Sequence, residues 1–329
     1  MAEEGEVARV LVALGGNALS RPSERGTMAG QLASVRRSSG YIAEMIAAGN
    51  EVVISHGNGP QVGNILLQNE LARESVASMP LDACGAESEG LIGYMIQQSL
   101  GNELRRRGLR HEVVTVVTQT VVDPDDPAFV RPTKPVGGFV TAEEALRRIR
   151  ESGEAWAEDS GRGWRRVVPS PKPLAIVEAP TIAKLLALGT VVVAAGGGGV
   201  PVYYRDDSEL AGVEAVIDKD LAAARLAQQL AVQVLLILTD VAGVALAYGR
   251  PEQRFLGDVT LGELEGLFRR GEFPAGSMGP KVVAAIGFLR NGGDRAVICS
   301  LDDALAGLAG EAGTQIRRDN LRSRAASAA

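Results

Sequence analysis

The sequence predicts an α/β fold in which a largely parallel sheet is covered by helices on both faces. Short runs rich in β-branched residues alternate with longer helical patterns along most of the 329 residues, as is typical of parallel sheets. Hydrophobic residues make up 46% of the chain and charged residues of both signs 22%, a composition that indicates a globular rather than a disordered protein. No apolar run approaches the roughly 20 residues that cross a bilayer.

Hydrophobic periodicity predicts the individual elements. Six short apolar runs are predicted as buried strands: residues 7–14, 51–55, 112–119, 190–195, 232–239 and 295–300. Six longer stretches are predicted as helices: residues 29–48, 90–107, 179–188, 220–230, 261–270 and 281–291. Because ligands of parallel sheets bind beyond the carboxyl ends of the strands, function is expected in the loops that follow them.

A proline-bounded segment interrupts this alternation. Residues 123–173 carry seven prolines near their margins, which enclose a helical stretch at 141–150 and a stretch with glycine and tryptophan at 159–168. Proline fixes φ and restricts the preceding residue, so these margins are stiff. We expect a small protruding subdomain that closes over a site, and a flexible tail at 317–329.

Charge and cysteine content narrow the function further. A net charge of −6 disfavours a nucleic-acid or anionic-membrane surface, so neither is expected as a partner. The acidic start is neither a secretory signal nor a transit peptide, and two cysteines give no disulfide framework, which predicts a cytoplasmic protein. Two histidines disfavour a zinc site and histidine-based catalysis.

Three glycine-rich loops follow predicted strands. They contain Gly15-Gly16-Asn17, Gly57-Asn58-Gly59 and four consecutive glycines at 196–199. Glycines at a strand end let backbone N–H groups approach an anion, and the second loop also enters a helix. Each loop alone could be only a tight turn, but three at one sheet edge indicate a ligand.

These loops differ from the common nucleotide-binding motifs. No G-x-x-x-x-G-K-[ST] sequence occurs, which excludes a P-loop. Gly57, Gly59 and Gly63 are spaced one residue too long for a dinucleotide fingerprint, which disfavours a dehydrogenase. The segment at 276–279 is not a nucleophile elbow, because its first glycine adjoins the serine.

Lysine is scarce, and its positions are informative. Only five of the 34 basic residues are lysines, and three of these, Lys134, Lys219 and Lys281, lie in loops rich in glycine or proline or at helix starts. A lysine at a helix N-terminus opposes the helix dipole unless an anion lies between them. Lys219 precedes Asp220, which could cap the helix. Lys172 is predicted as a strut or a substrate contact and Lys184 as a surface charge.

The histidine and cysteine side chains are expected to have structural roles. His56 lies in a candidate anion-binding loop but is predicted to orient backbone rather than to transfer protons. His111 is predicted to be structural, and Cys84 and Cys299 to be small buried hydrophobic residues.

Over about residues 7–316 the chain resembles carbamate kinases of the amino-acid kinase superfamily. The matching segments are VALGGNA at 12–18, SHGNGPQVGN at 55–64, PTKP at 132–135, GRGWR at 161–165, VPSPKP at 168–173, GGGGVPV at 196–202, GVEAVIDKD at 212–220 and PAGSMGPK at 274–281. The proline-bounded subdomain is similar to that of carbamate kinases and separates them from acetylglutamate, aspartate and uridylate kinases.

The resemblance implies an enzyme that interconverts ATP plus carbamate and ADP plus carbamoyl phosphate, with Mg²⁺ held mainly by the nucleotide phosphates. It implies a three-layer αβα sandwich with an open sheet, a protruding subdomain at 123–173, and a homodimer. Residues 1–200 would form a lobe for carbamate and residues 201–316 a nucleotide-binding lobe. The pathway implied is arginine or carbamoyl phosphate catabolism, in which the enzyme makes ATP.

The resemblance also assigns site residues. The catalytic groups would be Lys134, Lys219, Asp220 and Lys281, with Asp220 orienting two ammonium groups. Related kinases have a lysine at the position of Ala13, and Lys219 is thought to supply that charge here. The carbamate and phosphoryl pocket would be lined by Gly15, Gly16, Asn17, Gly57, Asn58 and Gly59. The nucleotide would be bordered by Asp240, Tyr248, Ser277, Met278 and Lys281.

Two features depart from the family pattern, and alternatives stay open. Glu89 stands where a glutamine is expected and is predicted to be a surface difference, and the tail beyond Ile316 is longer than usual. The same chemistry could run toward carbamoyl phosphate synthesis. A non-catalytic nucleotide-binding relative is a further alternative, although no motif lysine is lost.

Overall fold

The computed structural model describes residues 7–16, 19, 27–159, 161–206, 208–273, 276 and 278–319. The strands of this part of the chain are β1 (Arg9–Leu14), β2 (Glu51–His56), β3 (Val113–Thr115), β4 (Gln119–Val121), β5 (Lys134–Val140), β6 (Trp156–Glu158), β7 (Trp164–Val168), β8 (Ala175–Ile176), β9 (Val191–Val193), β10 (Val200–Tyr204), β11 (Leu210–Gly212), β12 (Val234–Thr239), β13 (Ala245–Leu246), β14 (Arg254–Phe255), β15 (Asp258–Thr260), β16 (Arg295–Ser300) and β17 (Thr314–Arg317). The helices are α1 (Met28–Ala47), α2 (Gly59–Ala72), α3 (Leu81–Arg106), α4 (Ala142–Ser152), α5 (Ala179–Ala187), α6 (Lys219–Gln229), α7 (Leu261–Arg269), α8 (Met278–Arg290) and α9 (Ala304–Ala309).

The central sheet confirms the predicted α/β fold. Its eight strands lie in the order β15-β17-β16-β12-β1-β2-β9-β3. Neighbours are parallel except for β16 and β17, which are antiparallel. The register of β1 against β2 brings Leu14 opposite His56, so the loops after these two strands begin side by side.

Alternate residues of the central strands build two separate cores, one on each face of the sheet. Leu11 and Val53 pack against side chains from α5, α6 and α8, whereas Val10 and Ile54 pack against α1, α3 and α9. All four of these strand residues are buried. Helices therefore cover both faces, and apolar burial on both sides explains the nearly continuous hydrophobic strands of the sequence.

One predicted strand divides into two. Within the predicted strand at 112–119, residues 113–115 form β3 in the central sheet, and residue 119 begins β4, which belongs to a second, four-stranded sheet of order β11-β10-β4-β8. Between them the Thr118 N–H donates to the Glu89 carboxylate at 3.1 Å instead of to a neighbouring strand. A buried side-chain acceptor thus replaces the ladder bond, and the chain changes sheets there.

Helix α3 begins nine residues earlier than predicted, at Leu81. Its first turns contain Gly85 and Gly90, which weaken intrinsic helix propensity. Leu81, Cys84 and Ser88 are buried in these turns, so tertiary packing stabilises them.

Residues 123–173 contain a sheet of their own. Strands β5, β7 and β6 form an antiparallel sheet in that order, next to α4. Helix α4 begins after Thr141, whose hydroxyl accepts from Glu144 N, and ends before Gly153, which has φ 68°. These are the usual cap and stop of a helix. Residues 159–168 include β7, and at Lys172 the backbone N–H, rather than the ammonium, donates to Asp126.

At the other end of the chain, β17 includes Arg317, and residues 320–329 of the predicted tail lie outside the described residues. Within the described ranges, no helix is both long and apolar enough to cross a membrane.

Candidate active site

A cavity of about 520 Å³ lies at the carboxyl ends of β1, β2 and β12, where the sequence predicts a ligand. Its wall also includes the first residues of α6 and α8 and the start of β5. The predicted site residues that line it are Gly15, Gly16, Gly57, Asn58, Gly59, Lys134, Lys219, Asp220, Asp240, Tyr248, Met278 and Lys281. Asn17 and Ser277 lie outside the described residues.

The N-terminus of α6 supplies two charged groups of the cavity. Asp218 is the cap, because its carboxylate accepts from Asp220 N at 3.0 Å and from Leu221 N at 3.3 Å. The prediction that Asp220 caps this helix is therefore wrong. Asp220 lies two residues further on, in the first turn of the helix, where its side chain lines the cavity and pairs with two lysines.

Asp220 bridges two ammonium groups. Its Oδ1 atom lies 2.6 Å from Lys219 Nζ, and its Oδ2 atom lies 2.9 Å from Lys281 Nζ at the start of α8. Burial acts to raise the pKa of the Asp220 carboxyl, but the two lysines outweigh it and lower the pKa to about 2. The carboxylate is therefore ionised and holds two cations on one wall of the cavity.

Lys219 is the more constrained of these two cations. Burial lowers its pKa, and the neighbouring Lys281 adds to this, whereas Asp220 opposes it. Its stem lies against the second glycine loop, since a Cβ at Gly57 would come within 3.1 Å of Lys219 Cδ. The glycine thus leaves room for the lysine to cross the cavity floor.

Lys134 reaches the cavity from the separate three-stranded sheet. It is the first residue of β5, and its Nζ atom lies 2.8 Å from Asp218 Oδ2. With 35% of its side chain exposed, it is more accessible than Lys219 at 18% or Lys281 at 14%. Asp218 was not predicted as its partner, because the two residues are 84 positions apart in the sequence.

The glycines of the first two loops line the cavity, and they differ in whether packing requires glycine. A Cβ at Gly15 would lie 2.7 Å from the Leu238 carbonyl oxygen, so packing against β12 excludes a side chain there. At Gly16 and Gly59 a Cβ would meet no atom within 4 Å. Packing therefore does not require glycine at those two positions, and their backbone is open toward the cavity.

The third glycine loop lies behind the second. Residues 196–198 form a 3₁₀ turn, in which a Cβ at Gly197 would lie 2.1 Å from Asn58 Nδ2. Asn58 Nδ2 donates to Ser88 Oγ on α3 at 2.8 Å. Gly197 also lines the cavity, so this turn supports the loop that contains Gly57, Asn58 and Gly59.

The expected nucleotide residues lie on the other side of the cavity. Asp240 follows β12 and accepts from the Thr239 hydroxyl at 3.1 Å, and its side chain is exposed. Tyr248 is 58% exposed. Both line the same cavity as Met278, so a nucleotide there would lie next to Lys281.

The structure also shows where the histidines, the cysteines and Lys184 lie. His56 is buried, and its Nδ1–H donates to the Gly57 carbonyl at 2.9 Å. Burial lowers its pKa to about 4, so the ring is neutral and orients backbone as predicted. His111 Nδ1 contacts the Gly189 carbonyl, Cys84 and Cys299 are free and buried, and Lys184 is exposed.

Glu89 is not a surface residue, which corrects the prediction. It is 1% exposed, and burial raises the pKa of its carboxyl to about 7. It accepts from Thr118 N, from Thr118 Oγ1 at 2.5 Å and from Gly196 N at 2.9 Å. One sequence signal could have identified Glu89 as buried: it stands where the family pattern has a glutamine, which is also polar.

Comparison with known proteins places this geometry in context. The chain matches the model of the amino acid kinase family over residues 8–300. A carbamate kinase of Pyrococcus horikoshii is 53% identical over 310 residues, which cover 94% of this chain and 98% of that protein. A carbamate kinase of Clostridium perfringens is 46% identical over 312 residues, or 94% of this chain and 99% of that protein.

Solved structures agree with these relatives. Carbamate kinase from Giardia lamblia bound to AMP-PNP has a TM-score of 0.90 and 44% identity, and the match covers 96% of this chain and 100% of that one. N-acetylglutamate synthase from Neisseria gonorrhoeae, at 15% identity and a TM-score of 0.55, shares the fold alone; that match covers 95% of this chain and 62% of that one.

Proposed function

The chain belongs to the amino acid kinase family and, within it, to the carbamate kinases, and from this premise we propose that it interconverts ATP plus carbamate and ADP plus carbamoyl phosphate. The observation that carries the proposal is the Asp220 carboxylate, which holds two buried lysines on one wall of a cavity at the strand ends. Such an arrangement suits a transferring phosphoryl group, because catalysis of that step consists mainly of positioning and charge stabilisation.

The acceptor needs no general base. Carbamate is an anion, and one of its oxygens attacks the γ-phosphorus while the bond to the bridging oxygen of ADP breaks. Neither histidine is among the described residues that line the cavity, and the buried His56 is neutral, which agrees with this. The barrier is then the approach of two anions, which nearby cations lower.

The three lysines and Asp220 would have different roles in phosphoryl transfer. Lys219 and Lys281 would contact the oxygens of the transferring phosphoryl group, and Asp220 would fix the two ammonium groups. Lys134 would approach from the 123–173 subdomain. The geometry supports these roles because Lys219 and Lys281 both pair with the Asp220 carboxylate. Lys134 pairs with the nearby carboxylate of Asp218.

The substrates would occupy opposite parts of the cavity. Carbamate and the transferred phosphoryl group would lie over Gly15, Gly16, Asn17, Gly57, Asn58 and Gly59, in the lobe of residues 1–200. The nucleotide would lie in the lobe of residues 201–316, bordered by Asp240, Tyr248, Ser277, Met278 and Lys281. The open backbone at Gly16 and Gly59 supports the first assignment, and the exposed Tyr248 in the cavity wall supports the second.

Magnesium would enter with the nucleotide. Within the described ranges, no group of three or more His, Cys, Asp or Glu side chains could hold a metal ion. Asp218 and Asp220 are already paired with lysines. These residues therefore fit an ion held mainly by phosphate oxygens, and when bound it would neutralise phosphate charge.

Three broader parts of the proposal concern the cell. We expect ATP formation during arginine or carbamoyl phosphate catabolism, with synthesis of carbamoyl phosphate as the alternative direction. We expect a homodimer, which light scattering of the purified protein would test. The two free, buried cysteines support a reducing cytoplasm.

A coupled assay tests the activity directly. ATP formation from ADP and carbamoyl phosphate should be fast and should require Mg²⁺. Acetylglutamate, aspartate and UMP, tested with ATP, should not be phosphorylated. Turnover of one of these three, with no ATP from carbamoyl phosphate, would overturn the proposal. No turnover of any of them would favour a non-catalytic relative.

A further inference from the structure

The two carboxylate oxygens of Asp218 bind two different parts of the molecule. Its Oδ1 atom accepts from Asp220 N at 3.0 Å and from Leu221 N at 3.3 Å, in the first turn of α6. Its Oδ2 atom lies 2.8 Å from Lys134 Nζ, at the first residue of β5. The side chain of Asp218 is 12% exposed. One largely buried carboxylate therefore joins a helix of the central fold to the sheet of the 123–173 subdomain.

The turn that Asp218 caps contains groups assigned to phosphoryl transfer. Lys219 and Asp220 are the first two residues of α6, and the Asp220 carboxylate also pairs with Lys281. The first N–H groups of a helix have no partner within it, so the cap fixes this turn. A displacement of the turn would move both ammonium groups, and about 1 Å of misplacement can cost roughly 100-fold in rate.

The chain just before Asp218 lies against the base of the subdomain. Val216 N donates to the Pro169 carbonyl at 3.0 Å, directly after the end of β7. Lys134 pairs with Val168, the last residue of β7, in the antiparallel register of β5 and β7. The backbone bond and the ion pair therefore lie at the same end of this small sheet. A movement of the subdomain about its base would be transmitted to the start of α6.

The bond of Lys134 to Asp218 can be exchanged for a bond to a ligand. The Lys134 side chain is 35% exposed, and ion pairs with an exposed member are weak in water. Lys134 lines the cavity, so phosphoryl oxygens that arrive there can compete with the carboxylate for its ammonium group. Asp218 therefore keeps Lys134 beside the cavity without withholding it from a substrate.

We propose that Asp218 is a positioning residue for phosphoryl transfer: it holds Lys134 at the cavity and, through the cap of α6, aligns that lysine with the two cations paired to Asp220. Asp218 acts through these residues and does not itself contact the reacting atoms. This role rests on the proposed carbamate kinase activity, in which all three lysines approach the transferring group. It adds a link between the subdomain and the central fold, by which the three lysines are placed together.

Asp218→Asn separates the two bonds of the carboxylate. Asparagine caps helices as well as aspartate does, so its amide oxygen can still accept from the first turn of α6. The amide NH₂ group would then face the Lys134 ammonium, and two donors cannot bond each other. We expect kcat for ATP formation from ADP and carbamoyl phosphate to fall roughly 10- to 100-fold, as in Lys134→Ala, with KM for ADP unchanged. Asp206→Asn, at an exposed position that does not line the cavity, is the matched control.

A double variant shows whether Asp218 acts through Lys134. In Lys134→Ala combined with Asp218→Asn, kcat should be no lower than in Lys134→Ala alone, because the group that the carboxylate positions is already lost. Asp218→Ala, which also removes the cap, should lower kcat further than Asp218→Asn. Native kcat in Asp218→Asn, losses that multiply in the double variant, or equal kcat in Asp218→Ala and Asp218→Asn would each overturn the proposal.

Amide hydrogen exchange tests the link without any turnover. In Asp218→Asn, exchange should quicken in β5 and β7, which lose an anchor to the central fold, while α6 keeps its protection. Unchanged exchange in β5 and β7 would contradict the role of Asp218. If Asp218→Asn does not fold, Asp218→Ser takes its place in every measurement, since its hydroxyl caps the helix but is too short to reach Lys134 as well. If the native enzyme makes no ATP, the proposed function fails, and the exchange result still decides whether Asp218 holds the subdomain.

Discussion

The cavity brings together two kinds of lysine. Lys219 and Lys281 belong to helices that pack on the central sheet, share one buried carboxylate and are largely covered. Lys134 belongs to a separate sheet, pairs with Asp218 and is about twice as exposed. The first pair is fixed before a ligand arrives, whereas the third is placed by the position of its subdomain. Loss of the first pair should therefore remove charge stabilisation, and loss of the third should affect closure.

The largest effect is expected from Lys219→Ala and Lys281→Ala. Each should lower kcat for ATP formation by roughly 100- to 1,000-fold, because each removes a cation from the transferring group. The circular dichroism spectrum should be unchanged, since Asp220 keeps one lysine partner. Lys184→Ala, at an exposed position on α5, is the control. Near-native kcat in either cavity variant would remove that lysine from the mechanism.

A somewhat smaller loss, about 100-fold in kcat, is expected from Lys219→Arg. The planar guanidinium is bulkier than an ammonium and cannot occupy the same space beside Gly57 and Asp220. Steady-state kinetics would measure this loss of kcat, with Lys184→Arg as the control. If arginine supported native turnover, charge alone would suffice and the compact fixed ammonium would not matter.

Lys134→Ala should have an intermediate effect that differs in kind. We expect kcat to fall roughly 10- to 100-fold through misplacement of the subdomain, with the Kd for ADP, measured by calorimetry, unchanged. Arg150→Ala, at an exposed position on α4, is the control from the same segment. A weaker Kd for ADP with native kcat would assign Lys134 to the nucleotide side and would break the comparison.

The smallest effect is expected from Arg148→Ala in the subdomain. Arg148 forms an ion pair with Glu70 on α2 and lies 5.3 Å from the centre of the Trp156 ring. Partly exposed contacts of this kind contribute up to about 1 kcal/mol each. Hydrogen exchange should quicken in β5, β6 and β7 while kcat changes less than about threefold. Unchanged exchange would mean that Arg148 does not help to hold the subdomain in position.

The sequence predicted those parts of the molecule that depend on neighbouring residues. The alternation of strands and helices, the glycine loops and the scarce lysines all carry local signals, and the structure gathers Lys134, Lys219 and Lys281 at one cavity. It gave no signal for contacts between distant residues. The pairing of Lys134 with Asp218 and the division of residues 112–119 by Glu89 arise only when separate elements meet.

The cap of α6 shows a finer limit. An Asp-Lys-Asp sequence offers two possible caps, and only the backbone conformation decides between them. Asp218 has extended φ and ψ, which direct its carboxylate to the first N–H groups. Asp220 is thereby left for the lysines, so a shift of two residues separates the capping carboxylate from the one that bridges two ammonium groups.

The same pairing affects how fast substrates arrive. Of the described residues that line the cavity, three are lysines and three are aspartates. Their fields largely cancel at a distance, and the whole chain carries a net charge of −6. Anionic substrates are therefore not drawn in by a long-range attraction, and their association rate should depend little on ionic strength. Specificity is expressed only after contact, when a phosphoryl group competes with the aspartates for the ammonium groups.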